Sequence, residues 1–169
     1  MKMLIAVSSK HGSTRAIAGS IADTLRAAGI EVEVVEPRQV EAVAGYDAVI
    51  VGSAVYLGRW MEPARALVHR SADALRARPV WLFSSGPLGR DIADPADAAD
   101  GMKLLELVEA REQRVFAGSL EKGDLGFVER RIAAMVKSPY GDHREWPAIH
   151  AWATSIAGEL ASVPAGAGS

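Results

Sequence analysis

Between residues 7 and 14 the chain reads Val-Ser-Ser-Lys-His-Gly-Ser-Thr, which gathers hydroxyls, one amine and one imidazole around a glycine. The cluster follows an apolar run, Met3-Leu4-Ile5-Ala6-Val7, and runs straight into helical spacing at Ile17, Ile21 and Leu25. Strand, tight loop, helix is the order this pattern predicts. Such a loop presents free backbone N–H groups and the hydroxyls of Ser9, Ser13 and Thr14 at a helix N-terminus. Unpaired donors and partial positive charge favour an anion there. The expected chemistry is the seating of a phosphate-bearing cofactor. Read alone, the turn also fits a plain helix start capped by Ser13, with Gly12 permitting the bend. Other chemistries are excluded. Lys10 precedes the glycine, so this is no Gly-Lys-Ser/Thr triphosphate loop, and the three-glycine dinucleotide fingerprint is absent. The 169 residues include no cysteine, which removes thiol nucleophiles, disulfides and thiolate metal sites.

Two further loops carry ligand-type chemistry. In Gly52-Ser53-Ala54-Val55-Tyr56-Leu57-Gly58-Arg59-Trp60, aromatic and aliphatic side chains stand beside glycines, a surface for a flat apolar ring. The alternative is that Tyr56 and Trp60 cover the edge of the core. In Ser84-Ser85-Gly86-Pro87-Leu88-Gly89, backbone groups are available to a heteroaromatic edge, or the segment is a plain Pro/Gly turn. A fourth apolar run ends in Gly118-Ser119. Small residues at several strand ends leave room for one extended ligand across them.

The elements that position these loops follow from periodicity. A helix is expected over 13–28, with Gly29 in the left-handed position beyond it. Residues 31–36 read as a strand with one wet face, ended by Pro37. Residues 48–51 form a continuous apolar run, the mark of a strand buried on both faces. A helix from about Glu62, with Pro63 in its first turn, has its face at Leu67, Val68 and Leu75. A strand spans 80–83. Residues 90–101 read as a surface loop, 102–110 as a helix and 114–118 as the last strand. Residues 120–146 form an insert around a helical stretch at 127–137. A final helix over 147–160 is lined by Ile149, Trp152, Ile156 and Leu160. Residues 163–169 are an Ala/Gly/Ser/Pro tail, expected to be flexible. One domain over 1–162 is expected, an α/β fold with a doubly wound five-stranded parallel sheet in strand order 2-1-3-4-5. Ligands bind such sheets outside the carboxyl ends of the strands.

Composition narrows the partners. Nineteen basic and 21 acidic residues give a formal charge of −2, which argues against bulk attraction to nucleic acid. There is no run of about eighteen apolar residues and no basic-then-apolar leader, so a cytoplasmic protein is expected. His143 lies beside Asp142 and Glu145, but no spaced partner supports a metal site. His69 and His150 read as surface residues on helices.

Ser-x-His-Gly-x-Thr at residues 9–14 resembles the phosphate loop of flavodoxins, where FMN binds. The glycine-rich second and third loops follow the third and fourth strands, as in that family. The chain most resembles flavodoxin-like proteins related to menaquinone-dependent protoporphyrinogen oxidase. The Gly-Ser-Ala-x-Tyr second loop, the strand Val115-Phe116-Ala117-Gly118, and the insert ending in Gly141-Asp142-His143-Arg144-Glu145-Trp146 carry that likeness. The resemblance covers nearly the whole chain. It implies that Ser9, Lys10, His11, Gly12, Ser13 and Thr14 hold the FMN phosphate. It places Ser53, Ala54, Val55, Tyr56, Leu57 and Gly58 along one side of the flavin, and Ser85, Gly86, Pro87, Leu88 and Gly89 at the other edge. His11 departs from the family, where threonine is usual.

With FMN bound, the flavin carries the redox step and no catalytic acid or base is required. Two functional classes then compete. One is an FMN oxidoreductase passing electrons between an organic substrate, protoporphyrinogen by analogy, and a quinone-type acceptor. The other is an electron carrier that docks to redox partners. Carriers of this fold are strongly acidic for steering, and −2 weakens that reading. A cofactor-free domain of this fold is a third reading. In the insert, an apolar stripe at Phe127, Val128, Ile132, Met135 and Val136 lies beside Lys122, Arg130, Arg131 and Lys137. Residues 122–137 therefore suit either packing on the domain or weak peripheral contact with a membrane surface.

Overall fold

The computed structural model describes residues 1–56, 58–86, 95–120, 141–142 and 144–162, without the side chains of 95–98, 119–120 and 141. Strands β1 (Lys2–Ser8), β2 (Glu31–Val35), β3 (Ala48–Tyr56), β5 (Val80–Gly86) and β6 (Glu112–Ala117) form a parallel sheet in the order β2-β1-β3-β5-β6. The two-residue strand β4 (Arg59–Trp60) folds back antiparallel on β3. Counting the parallel strands alone, the order is 2-1-3-4-5, as expected. Helix α1 (Ser13–Ala27) and α5 (Trp146–Ser162) cover one face; α2 (Glu62–Arg70), α3 (Ala72–Arg76) and α4 (Pro95–Val108) cover the other.

The period-2 alternation of the strands divides the core. Met3, Ile5, Val7, Ile50, Trp81 and Phe83 pack under α1 and α5, while Leu4, Ala6, Val49, Val51 and Leu82 pack under α2, α3 and α4. On α1, Ile17, Ile21 and Leu25 are fully buried, each contributing about 1.5–3 kcal/mol. Gly29 beyond that helix has φ 86°, so the expected left-handed position is observed. Strand β2 lies at the sheet edge with Val32 buried and Glu31 and Glu33 exposed. On α5, Ile149, Trp152, Ile156 and Leu160 are buried. Trp152 meets Phe83 and Phe116 at ring-centroid distances of 6.1 and 5.5 Å, and its Nε1–H donates to Glu112 at 2.8 Å.

Four expectations need correction. Residues 52–56 and 84–86 are strand rather than loop, because their main chains are paired in register with neighbouring strands: Gly52 opposite Val7 and Phe83, Ser85 opposite Ala54 and Phe116. The segment 90–101 is not all loop. Helix α4 begins at Pro95, where a missing N–H costs nothing, and runs through the alanines that follow. The helix begun at Glu62 is interrupted at Ser71, a weak helix former with φ −110° and ψ 14°. Where the insert leaves and rejoins the sheet, β7 (Ser119–Leu120) pairs antiparallel with β8 (Gly141–Asp142), a pairing that local pattern does not announce. The expected helix at 127–137 and the tail lie outside the described residues.

Candidate functional site

The phosphate-type loop lies between β1 and α1, at the carboxyl edge of the sheet. Gly12, at φ 87°, is the N-cap of α1. That left-handed angle is readily open only to glycine. Ser13 is the first helical residue and not the cap, which removes the plain-capping alternative for its hydroxyl. The Gly12 N–H donates to Ser9 Oγ at 3.0 Å and tightens the loop. No side chain caps α1, and its first turn holds no acidic residue. The donors that a cap would satisfy therefore face the cleft. Thr14 is buried here, 2% exposed, and lines the cleft. Among the described residues no carboxylate lines this loop, and its uncapped donors fit a phosphate.

The cleft in front of α1 is walled by Ser9, Lys10, His11, Ser13 and Thr14 on one side, and by Ala54, Val55 and Tyr56 from the end of β3 on another. Ser85 and Gly86 from β5, with Gly118 after β6, close it. The structure thus brings ten of the residues expected from sequence together and adds Gly118. Its N–H donates to Gly86 O at 2.6 Å, and a Cβ there would lie 2.6 Å from the same oxygen, so only glycine allows this approach. The sequence signal for Gly118 is its place at the end of an apolar run.

Tyr56 and Trp60, alternatives in sequence, separate in space. Tyr56 is 37% exposed and faces the cleft, whereas Trp60 is 2% exposed and belongs to the core. Burial raises the Tyr56 phenol above its ordinary pKa, so it remains a neutral O–H donor at physiological pH. Lys10 Nζ lies 5.9 Å from the Tyr56 ring centroid, a cation–π distance that sets a positive charge at the rim. Ser53 does not offer its hydroxyl to the cleft: it donates to Ala54 O at 2.7 Å and accepts the Met61 N–H at 2.8 Å. Gly58 forms the β3–β4 turn with φ 72°. Leu57, Pro87, Leu88, Gly89 and His143 lie outside the described residues. A second, more open groove between α1 and α5, bordered by Gly19, Asp23, Trp146 and His150, has helix side chains as its walls and no convergent strand ends.

A doubly wound parallel sheet with a donor-rich first loop and an aromatic second wall sets an anion-accepting cleft at a strand-order reversal, where such sheets bind ligands. The flavodoxin-domain family model matches residues 4–146, and the chain belongs to that family. Proteins of the flavodoxin family bind FMN. The chain is 26% identical over 147 residues to protoporphyrinogen IX dehydrogenase [quinone] of Escherichia coli strain K12, covering 83% of this chain and 81% of that protein. Among solved structures, a cysteine-to-serine mutant of flavodoxin from Pseudomonas aeruginosa superposes with TM-score 0.60 at 15% identity, covering 96% of this chain and all of the other. Rubredoxin oxygen:oxidoreductase from Desulfovibrio gigas gives TM-score 0.65 at 14% identity, covering 95% of this chain and 36% of that one. These two show the fold. No helix among the described residues is long and apolar enough to cross a membrane.

Proposed function

We propose that this chain is an FMN-binding oxidoreductase that passes electrons between an organic substrate and a quinone-type acceptor. The observation that carries the reading is the uncapped N-terminus of α1 opening onto a cleft whose other walls are Tyr56 and the glycine-edged ends of β5 and β6. FMN, when bound, supplies the electron-accepting ring. The main-chain N–H groups of the first turn, with Ser9, Ser13 and Thr14, hold the phosphate. Lys10 adds charge at the rim, and His11, which lines the same cleft, would supply a further N–H donor. Tyr56, Ala54 and Val55 would form the apolar wall against the ring and exclude water from it, and Ser85 and Gly86 would offer main-chain groups to it. No side chain of this set is required to move a proton. The E. coli relative supports a quinone as acceptor and makes a porphyrinogen the first substrate to try.

The test is direct. Purified protein reconstituted with FMN is expected to show flavin absorption bands and to quench free FMN fluorescence with one-to-one stoichiometry. Reduced anaerobically, it is expected to be reoxidised faster by a soluble quinone than by a protein electron acceptor. A colourless protein that leaves FMN fluorescence unchanged refutes the cofactor. Reoxidation by the protein acceptor alone replaces the oxidoreductase with a carrier.

A further inference from the structure

The wall carrying Tyr56 is the short hairpin β3–β4, and two residues of β4 alone do not hold such a turn in place. The hold comes from the α4 side. Val55 pairs with Trp60 and Tyr56 with Arg59 across the turn. The Trp60 N–H donates to Asp100 Oδ2, on α4, at 2.9 Å. Its indole Nε1–H donates to Ser84 Oγ at 2.8 Å, and the same oxygen accepts the Gln113 amide at 3.0 Å. Asp100 is itself anchored, with Arg65 Nε of α2 at 3.6 Å and only 16% of its side chain exposed. Gly101 leaves the space that Gln113 fills: a Cβ there would meet its Nε2 at 2.9 Å. Main-chain donor, half-buried acceptor and helix are thus tied together at the residue that pairs with Val55, next to Tyr56 in the chain.

We propose that Asp100 is a positioning residue for the ring wall of the cleft: by accepting the Trp60 N–H it fixes the hairpin that presents Tyr56, and it ties that hairpin to the helix following the third loop. The inference rests on the flavin reading above. It goes beyond it in assigning the ring wall's geometry to a carboxylate that does not line the cleft. A half-buried carboxylate bound to a main-chain N–H makes a charge-assisted hydrogen bond of fixed direction, so its loss frees the turn without touching the phosphate loop.

The experiment compares wild type, Asp100→Ala and Asp100→Asn by titration with FMN and with riboflavin, which lacks the phosphate. Hydrogen exchange at residues 55–60 of the flavin-free proteins provides the second readout. Asp100→Ala is expected to weaken FMN and riboflavin by the same factor, about tenfold, the scale of one lost charge-assisted bond. It is also expected to speed exchange in the hairpin by about tenfold while β1 exchanges as before. Asp100→Asn, which keeps an acceptor oxygen, is expected to restore most of both. Unchanged exchange in the hairpin, or failure of Asn to rescue, overturns the proposal. So does a loss confined to FMN, because that places the defect at the phosphate. If wild type binds neither flavin, the cofactor reading falls, and the exchange comparison still decides whether Asp100 holds the turn.

Discussion

Thr14→Val tests the phosphate seat with the smallest change of shape. Thr14 is the second residue of α1, 2% exposed, and lines the cleft. Valine keeps the β-branch and nearly the volume but removes the donor. A hydroxyl donating to a phosphate dianion contributes about 1.5–3 kcal/mol, so FMN affinity is expected to fall about 10- to 150-fold. Riboflavin has no phosphate, and its affinity is expected to stay within about twofold. The pH dependence gives a second handle. The second phosphate pKa lies near 6, so wild-type FMN affinity is expected to drop as pH falls through that value while riboflavin affinity does not. Both are read by fluorescence titration of the flavin-free protein. An FMN affinity unchanged by the substitution refutes the reasoning, and so does a riboflavin affinity that falls in parallel.

Gly52→Ala is expected to destabilise the sheet, because the added Cβ falls 2.2 Å from Phe83 Cε1 and Cζ, and that ring is wedged against Phe116 and Trp152. The overpacking cost is about 1–3 kcal/mol, seen as a fall of about 2–4 °C in Tm per kcal/mol. Adding Phe83→Leu is expected to return part of it, and strictly additive effects in the double variant rule the clash out. Tyr46 and Tyr56 are expected to titrate above the ordinary phenol value, followed by ultraviolet absorbance of the phenolate. Burial is the main cause for both, and for Tyr46 the hydrogen bond to Glu33 adds to it. Above the free-phenol value the unfolded chain holds fewer protons than the native one, so stability is complete below that pH and lost as pH rises through the native values. Ordinary titration of both phenols removes the claim.

The order of elements was legible in the sequence because it rests on local pattern. Apolar runs mark β1, β3 and β5, the first ended by Ser8-Ser9 and the others bounded by Gly or Pro, and the spacing of Ile17, Ile21 and Leu25 or of Ile149, Trp152 and Ile156 marks helices without reference to the rest of the chain. The donor-rich loop before α1 was legible for the same reason, since its hydroxyls and glycine are contiguous. The ends of β3 and β5 were not. Gly52-Ser53-Ala54 and Ser84-Ser85-Gly86 carry small polar residues that local propensity assigns to loops, and only hydrogen bonds from distant strands hold them extended.

Register across the sheet also decided which hydroxyls face the cleft. Ser8, Ser53 and Ser84 stand side by side on three strands and are all buried. On the sequence Ser53 is as good a flavin contact as Ser85, since a serine's direction is set by strand pleat and not by its neighbours in the chain. The pleat turns Ser53 and Ser84 toward α2 and α4, where Met61, Trp60 and Gln113 satisfy them, and leaves Ser85 at the cleft. Contiguous residues declare what chemistry is available. Only long-range pairing determines which way each side chain faces, because that direction is fixed by strand partners far away along the chain.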